Sequence, residues 1–176
     1  MENSNLVQKP HLVCTLLEDD GVYPNNGNLC MLIYKAALVL SPEDVEADIE
    51  KLFEDNKWSH TWINGILDHH HYHSNTHEVL GIFSGNAYLQ IGGPLGIFIE
   101  VEKSDVLIMP AGVAYKCLKS SDDFLVIGAY SEGILQDINY GKDGERPATD
   151  ENILNVPLPK IDPVYGEKGP LIPHWK

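Results

Sequence analysis

Five of the eight histidines in this 176-residue chain fall between His69 and His77, and Glu78 follows at once, inside the stretch Gly65 to Gly85. A strand projects alternate side chains to one face, so a strand over 66–73 puts His71 and His73 together. Ser74, Asn75 and Thr76 are turn formers, and Glu78, Leu80 and Ile82 alternate again on a returning strand. Such a hairpin brings two imidazoles and one carboxylate to a common point. Neutral imidazole favours Zn, Cu, Fe and Ni, and two histidines with one carboxylate make the facial arrangement used for non-haem iron. The pattern therefore predicts a mononuclear divalent metal held by His71, His73 and Glu78. Fe, Mn, Ni, Cu and Zn suit these donors almost equally.

The spacing Gly65, five residues, His71-x-His73, four residues, Glu78, six residues, Gly85 resembles the first cupin motif at every fixed position. Pro110-Ala111-Gly112, after the apolar run Val106 to Met109, resembles the Pro-x-Gly of the second. That motif usually opens with Gly and carries a fourth ligand, His, three residues after its second Gly. Ser104 and Tyr115 occupy those places here, and Lys119 stands where Asn is common. Trp62 to Gly65, His73 to Gly81 and Asp162 to Gly166 resemble the small bacterial single-cupin proteins called YjlB-like, and the likeness runs over most of the chain. The resemblance implies an all-β fold, the cupin-type double-stranded β-helix or jelly-roll barrel, as one domain over 1–176. It implies a candidate site inside that barrel more than a particular reaction.

Tyr115 decides how such a site works. A phenol titrates near pH 10 and is a poorer ligand than imidazole unless a metal deprotonates it. It can ligate, it can donate a hydrogen bond to substrate or to a metal-bound water, or it can mark a branch that has lost metal. In the last case Glu78 needs a protonated His71 or His73 to offset its buried charge. His69 shares the parity of His71 and belongs at the mouth; His70 and Tyr72 face the other way. His77 lies opposite Glu78 and ligates only if the strand is distorted. Tyr88 and Gln90 are further candidates to point inward. Cys117 shares the parity of Tyr115 and is either near the pocket or a small buried hydrophobe.

The elements that must position these groups follow from pattern. Residues 11–17 and 29–40 read as strands, the second with some helical character. Ser41 to Asp55 reads as a helix, with Ser41 as N-cap, Pro42 at the first helical position and Asp44 in a capping box. Val45, Ile49, Leu52 and Phe53 give it one apolar stripe. From Trp58 onward short strands follow at close intervals, over 62–73, 77–84, 87–91, 97–101, 106–109, 115–118 and 124–130, as in a sandwich or barrel. The helix with its flank (41–57) is then an insertion, and 58–131 the barrel core. The proline-rich arm, 145–176, is expected to lack regular structure and to pack, through residues such as Val164, Tyr165 and Trp175, on the barrel or on a second subunit.

Composition excludes several roles. A net charge of −14, from 26 acidic and 12 basic residues, repels phosphate backbones, so nucleic acid and anionic membrane are poor partners. Hydrophobic residues at 43% and charged residues at 22% exclude disordered and membrane classes. Cys14, Cys30 and Cys117 are odd in number and lack C-x-x-C spacing, which argues against a disulfide framework and for a reducing compartment. The start, MENSNLVQKP, lacks a secretory pattern, and a cytoplasmic location is expected. Two functions remain: a small-molecule enzyme using the metal as Lewis acid or to activate O2, with Tyr115 as fourth ligand or proton donor, and a non-catalytic small-ligand binding or sensor protein, with or without metal. A homodimer built by the N-terminal strand and C-terminal arm would cover exposed sheet edges.

Overall fold

The computed structural model describes residues 6–176; the first residues of the segment read for a secretory signal lie outside them. Among these residues nine strands form two facing antiparallel sheets: β1 (His11–Leu17), β2 (Asn26–Lys35), β3 (Trp58–Asn64), β4 (Glu78–Ser84), β5 (Asn86–Ile91), β6 (Ile97–Glu102), β7 (Val106–Met109), β8 (Tyr115–Ser120) and β9 (Leu125–Ser131). The larger sheet runs β1-β2-β7-β4-β9-β3 and the smaller β6-β5-β8. This is the double-stranded β-helix of the cupins.

Strand β4 shows how the layers form. Every residue from Glu78 to Phe83 is buried, so it does not alternate between core and solvent. Its inward side chains, Leu80 and Ile82, pack between the sheets with Leu89, Ile91, Leu107 and Val126. Its outward Val79 packs with Ile108 and Ile127 beneath Ile49, Leu52 and Phe53 of α1 (Val45–Asp55) and beneath Val164, Leu171 and Trp175 of the arm. A sheet covered on both faces needs apolar residues at every position. The turn into β5 is made by Gly85 at φ 69°, where a Cβ would stand 2.4 Å from Ser121 Oγ.

Four expectations are corrected. The helix begins at Val45, not Ser41: the Ser41 hydroxyl donates to the Glu43 carbonyl at 2.8 Å, and Asp44 is left-handed at φ 54° with no capping bond. Propensity favoured an earlier start, but the buried stripe begins inside the observed helix. Residues 66–73 do not form a strand. His71 and Tyr72 make only isolated bridges, to Tyr115 and Asn139. The arm contains helices α2 (Ala148–Asn155) and α3 (Leu171–His174), each with a proline, Pro147 or Pro170, at its N-cap. Proline is tolerated at a helix start because the N–H it lacks has no partner there. Finally, Cys14 and Cys30 form a disulfide between β1 and β2, with Cα atoms 5.6 Å apart. Pairing register decides this contact: Cys14 lies opposite Leu32, which places Cys30 two residues along the same face.

The arm folds back on its own barrel. Its anchor is Asp162, fully buried. One carboxylate oxygen accepts from the Tyr34 hydroxyl at 2.5 Å and the Leu171 N–H at 3.0 Å; the other accepts from the N–H groups of Val164 and Tyr165 at 2.8 and 3.0 Å. The Trp175 indole donates to the Cys30 carbonyl at 2.8 Å. Among the described residues no helix is long and apolar enough to cross a membrane.

Candidate functional site

His71, His73, Glu78 and Tyr115 line one cavity of about 380 Å³ at an end of the barrel. Each arrives by a different route. Glu78 is the first residue of β4, paired with Met109 on one side and Tyr130 on the other. Tyr115 opens β8, and its backbone exchanges two hydrogen bonds with His71, at 3.1 and 3.2 Å. That single bridge sets the orientation which a hairpin was expected to provide, and the two rings lie 4.3 Å apart. His73 sits one step further on, its ring 6.1 Å from that of His71.

Both imidazoles are tied back through Nδ1. His71 Nδ1–H donates to the His69 carbonyl at 3.1 Å, and His73 Nδ1–H donates to the Asp137 carbonyl. Carbonyls only accept, so each neutral ring carries its proton on Nδ1 and keeps its Nε2 lone pair free. Asp137 lies in a loop with no motif of its own. Its carboxylate accepts from the Ser74 N–H at 2.7 Å, from the Ser74 hydroxyl and from the Asn139 amide, while its N–H donates to Asn75 Oδ1 at 3.0 Å. Second partners of this kind fix ring orientation in metal-binding histidines.

Glu78 is buried, with 1% of its surface exposed. The Tyr115 hydroxyl donates to its Oε2 at 2.5 Å, and His73 Nε2 stands 3.5 Å from the same atom. Oε1 has no hydrogen-bond partner among the described residues. Burial opposes ionisation of this carboxyl, but the charge and hydrogen bond of His73, and then the Tyr115 hydroxyl, hold it below the usual carboxylate range. Burial likewise opposes a charge on His73; Glu78, followed by the Asp137 carbonyl, turns the balance and raises it. Tyr115 is pushed well up by burial and by Glu78, and stays a neutral donor. Glu78 and His73 thus each favour the charged form of the other.

The donor types, the Nε2 lone pairs of neutral His71 and His73 and the partnerless Glu78 Oε1 suit a divalent metal. As the side chains stand, no group of three His, Cys, Asp or Glu among the described residues forms a metal cluster. The residues fit in the chemistry of their donors.

Several residues that line the cavity were not among the expected site residues. Trp62 lies flat on Gly128, where a Cβ would stand 2.2 Å from the indole, and its N–H donates to Tyr130 Oη at 2.9 Å. Burial and Glu78 raise the Tyr130 phenol well above its ordinary range. Ile66, Leu67, Leu135 and Ile138 complete an apolar mouth, with Gln136, whose Oε1 is also without a donor, among them. The alternation of β3 and β9 could have flagged Trp62 and Tyr130; nothing in the loop 135–138 could.

The other histidines of the run lie elsewhere. His69 is exposed and does not line the cavity, its Nδ1 2.9 Å from Asp68. His70 Nε2 meets Gln90 Oε1 at 3.3 Å, and the Tyr72 hydroxyl meets Glu145 and Thr149. His77 faces away: its Nδ1 accepts from the Ala111 N–H at 2.9 Å, and its ring packs 4.7 Å from that of Trp175. Tyr88 and Gln90 do not point inward, because Ala87, Leu89 and Ile91 take the inner positions of β5. Cys117 is half-buried against the inner core and does not line the cavity.

No family model matches the chain. It is 38% identical over 157 residues to the uncharacterized protein YjlB of Bacillus subtilis (strain 168), covering 89% of this chain and 92% of that one. Among solved structures it is similar to acireductone dioxygenase from Bacillus anthracis with cadmium ion in the active center, at 15% identity and TM-score 0.39, over 74% of this chain and 84% of that one. A Klebsiella pneumoniae protein with a double-stranded beta-helix domain matches at 11% identity and TM-score 0.36, over 81% and 91%. Procruciferin, the 11S globulin of Brassica napus, matches at 15% identity and TM-score 0.38 over 79% of this chain, which spans only 30% of that one. At these scores the structural likenesses add nothing to what the strands themselves show.

Proposed function

The chain belongs to the YjlB-like single-cupin family, and because it carries residues that resemble the first cupin motif at every fixed position, we propose that it binds one divalent metal through His71, His73 and Glu78 and acts on a small polar molecule in the barrel. The observation that carries this reading is Glu78 Oε1, a buried carboxylate oxygen without a donor beside two imidazoles oriented Nε2-first. Leaving such an atom unpaired costs about 1–3 kcal/mol or more, a cost a cation would remove. A divalent ion there would supply Lewis acidity or activation of O2. His73 would release its Nε2 proton as the cation is taken up, since imidazole binds only when neutral. Tyr115, held neutral beside Glu78, would serve as a hydrogen-bond donor inside the cavity. Trp62, Ile66, Leu135 and Ile138 exclude water from the remainder of the molecule bound.

A second reading, a metal-free pocket that binds a small ligand without turnover, is favoured by the Tyr115–Glu78 bond and the His73–Glu78 pair, which already balance the buried charge. Elemental analysis of protein purified without a histidine tag separates the two. The first reading expects close to one equivalent of metal, lost in His73→Ala. Less than about a tenth of an equivalent, unrestored by added Fe, Mn, Ni, Cu or Zn, would falsify it.

A further inference from the structure

The loop 135–138 turns its polar groups to the barrel and its apolar side chains outward. The Asp137 carbonyl accepts from His73 Nδ1 and the Asp137 carboxylate from the Ser74 N–H. The Asn75 side chain clamps the loop backbone, donating to the Leu135 carbonyl and accepting from the Asp137 N–H, both at 3.0 Å. The apolar side chains stay outside this frame: Leu135 is 69% exposed and Ile138 46%. Leu67, from the segment before His71, is 41% exposed. Apolar residues scattered singly over a surface need no account, but these all line the cavity that holds His71, Glu78 and Tyr115.

The cavity therefore has a floor and a rim of unlike chemistry. Buried His73, Glu78 and Tyr115 make the floor, and Leu67, Leu135 and Ile138 the rim. Among the described residues that line it none is lysine or arginine. An anionic group on the rim would thus meet no counter-charge, on a chain of net charge −14.

We propose that the molecule this cavity takes is amphipathic: a small polar head on the floor, joined to an uncharged hydrocarbon portion that lies on Leu67, Leu135 and Ile138. This rests on the reading of the cavity as a small-molecule site, and it holds whether the head meets a metal or the side chains alone. Covering the rim removes apolar surface from water on both partners, and each methylene fully buried there tightens binding by about fourfold. The loop then serves both ends of the ligand, orienting His73 through a backbone carbonyl and seating the hydrocarbon through its side chains.

Calorimetric titration of the full chain with straight-chain hydroxamic acids, from acetyl to octanoyl, tests this, both as purified and with added Zn2+. The hydroxamic head is uncharged near neutral pH, chelates divalent metals and offers hydrogen bonds to a metal-free floor. Affinity is expected to rise about two- to fourfold per methylene, and at least about thirtyfold over the series. Leu135→Asn combined with Ile138→Asn should weaken the octanoyl member about tenfold and the acetyl member less than about twofold, with circular dichroism confirming the fold. Leu67→Asn, outside the loop, should shift the series in the same sense. A carboxylate at the far end of the octanoyl chain should cancel most of the gain. Equal affinity along the series, or a series unmoved by these substitutions, overturns the inference and leaves the small-molecule reading standing. No binding by any member at about 5 mM overturns both.

Discussion

Glu78 and Asp162 are both buried carboxylates, and they differ in one respect that separates architecture from chemistry. Asp162 has donors on both oxygens: the Tyr34 hydroxyl and three backbone N–H groups, all within 3.0 Å. Its demand is met entirely by the chain, and it holds the arm to β2. Glu78 has one oxygen taken by Tyr115, while its buried Oε1 has no donor within hydrogen-bond distance among the described residues. A fold built for stability alone would have donated to that oxygen, because an unpaired buried polar atom is costly. Burial marks both residues equally. Satisfaction tells them apart.

The comparison can be broken most sharply at Asp162. Asp162→Ala leaves Tyr34 and three N–H groups without acceptors and should cost at least about 3 kcal/mol in urea unfolding, with metal content per folded molecule unchanged. A cost under about 1 kcal/mol would mean that the arm is held elsewhere.

An intermediate effect is expected from acid, through His77, which lies on the face of β4 opposite the cavity. Burial pushes this histidine down to about 3. The unfolded chain binds its proton near pH 6.5, so the contribution is whole above that value and is lost as pH falls toward about 3, at up to ~1.4 kcal/mol per pH unit. Unfolding free energies at pH 7 and pH 5 should differ by about 2 kcal/mol from this residue, and His77→Gln should flatten that slope. An unchanged slope would assign the acid sensitivity to other groups.

The smallest effect on stability, and the largest on the site, is expected at Glu78. Glu78→Gln removes a charge whose partner His73 can release its proton, so stability should move by less than about 1 kcal/mol while bound metal is lost. A loss of stability as large as that of Asp162→Ala would make Glu78 a structural acid too.

That His71, His73, Glu78 and Tyr115 line one cavity was legible along the chain because the cupin-like spacing is local: the first three lie within eight positions and Tyr115 follows a recognisable Pro-x-Gly. The reason given for their convergence was partly mistaken. A hairpin was expected, and the structure uses one bridge between His71 and Tyr115 and an Asp137 carbonyl from a distant loop. The outward turn of Tyr88 and Gln90, the Cys14–Cys30 bond and the flat seat of Trp62 on Gly128 were equally hidden, since each depends on strand register, which no single strand contains.

What the residues determined by themselves was the menu: alternation and turns for a barrel, imidazoles and a carboxylate at the spacing of one candidate site, and a net charge of −14. Only the tertiary structure decided which buried acid is satisfied. Hydrogen-bond partners are assigned by the meeting of segments far apart in the chain, Tyr34 with Asp162 and Tyr115 with Glu78, and a missing partner is visible only when all the others have been placed.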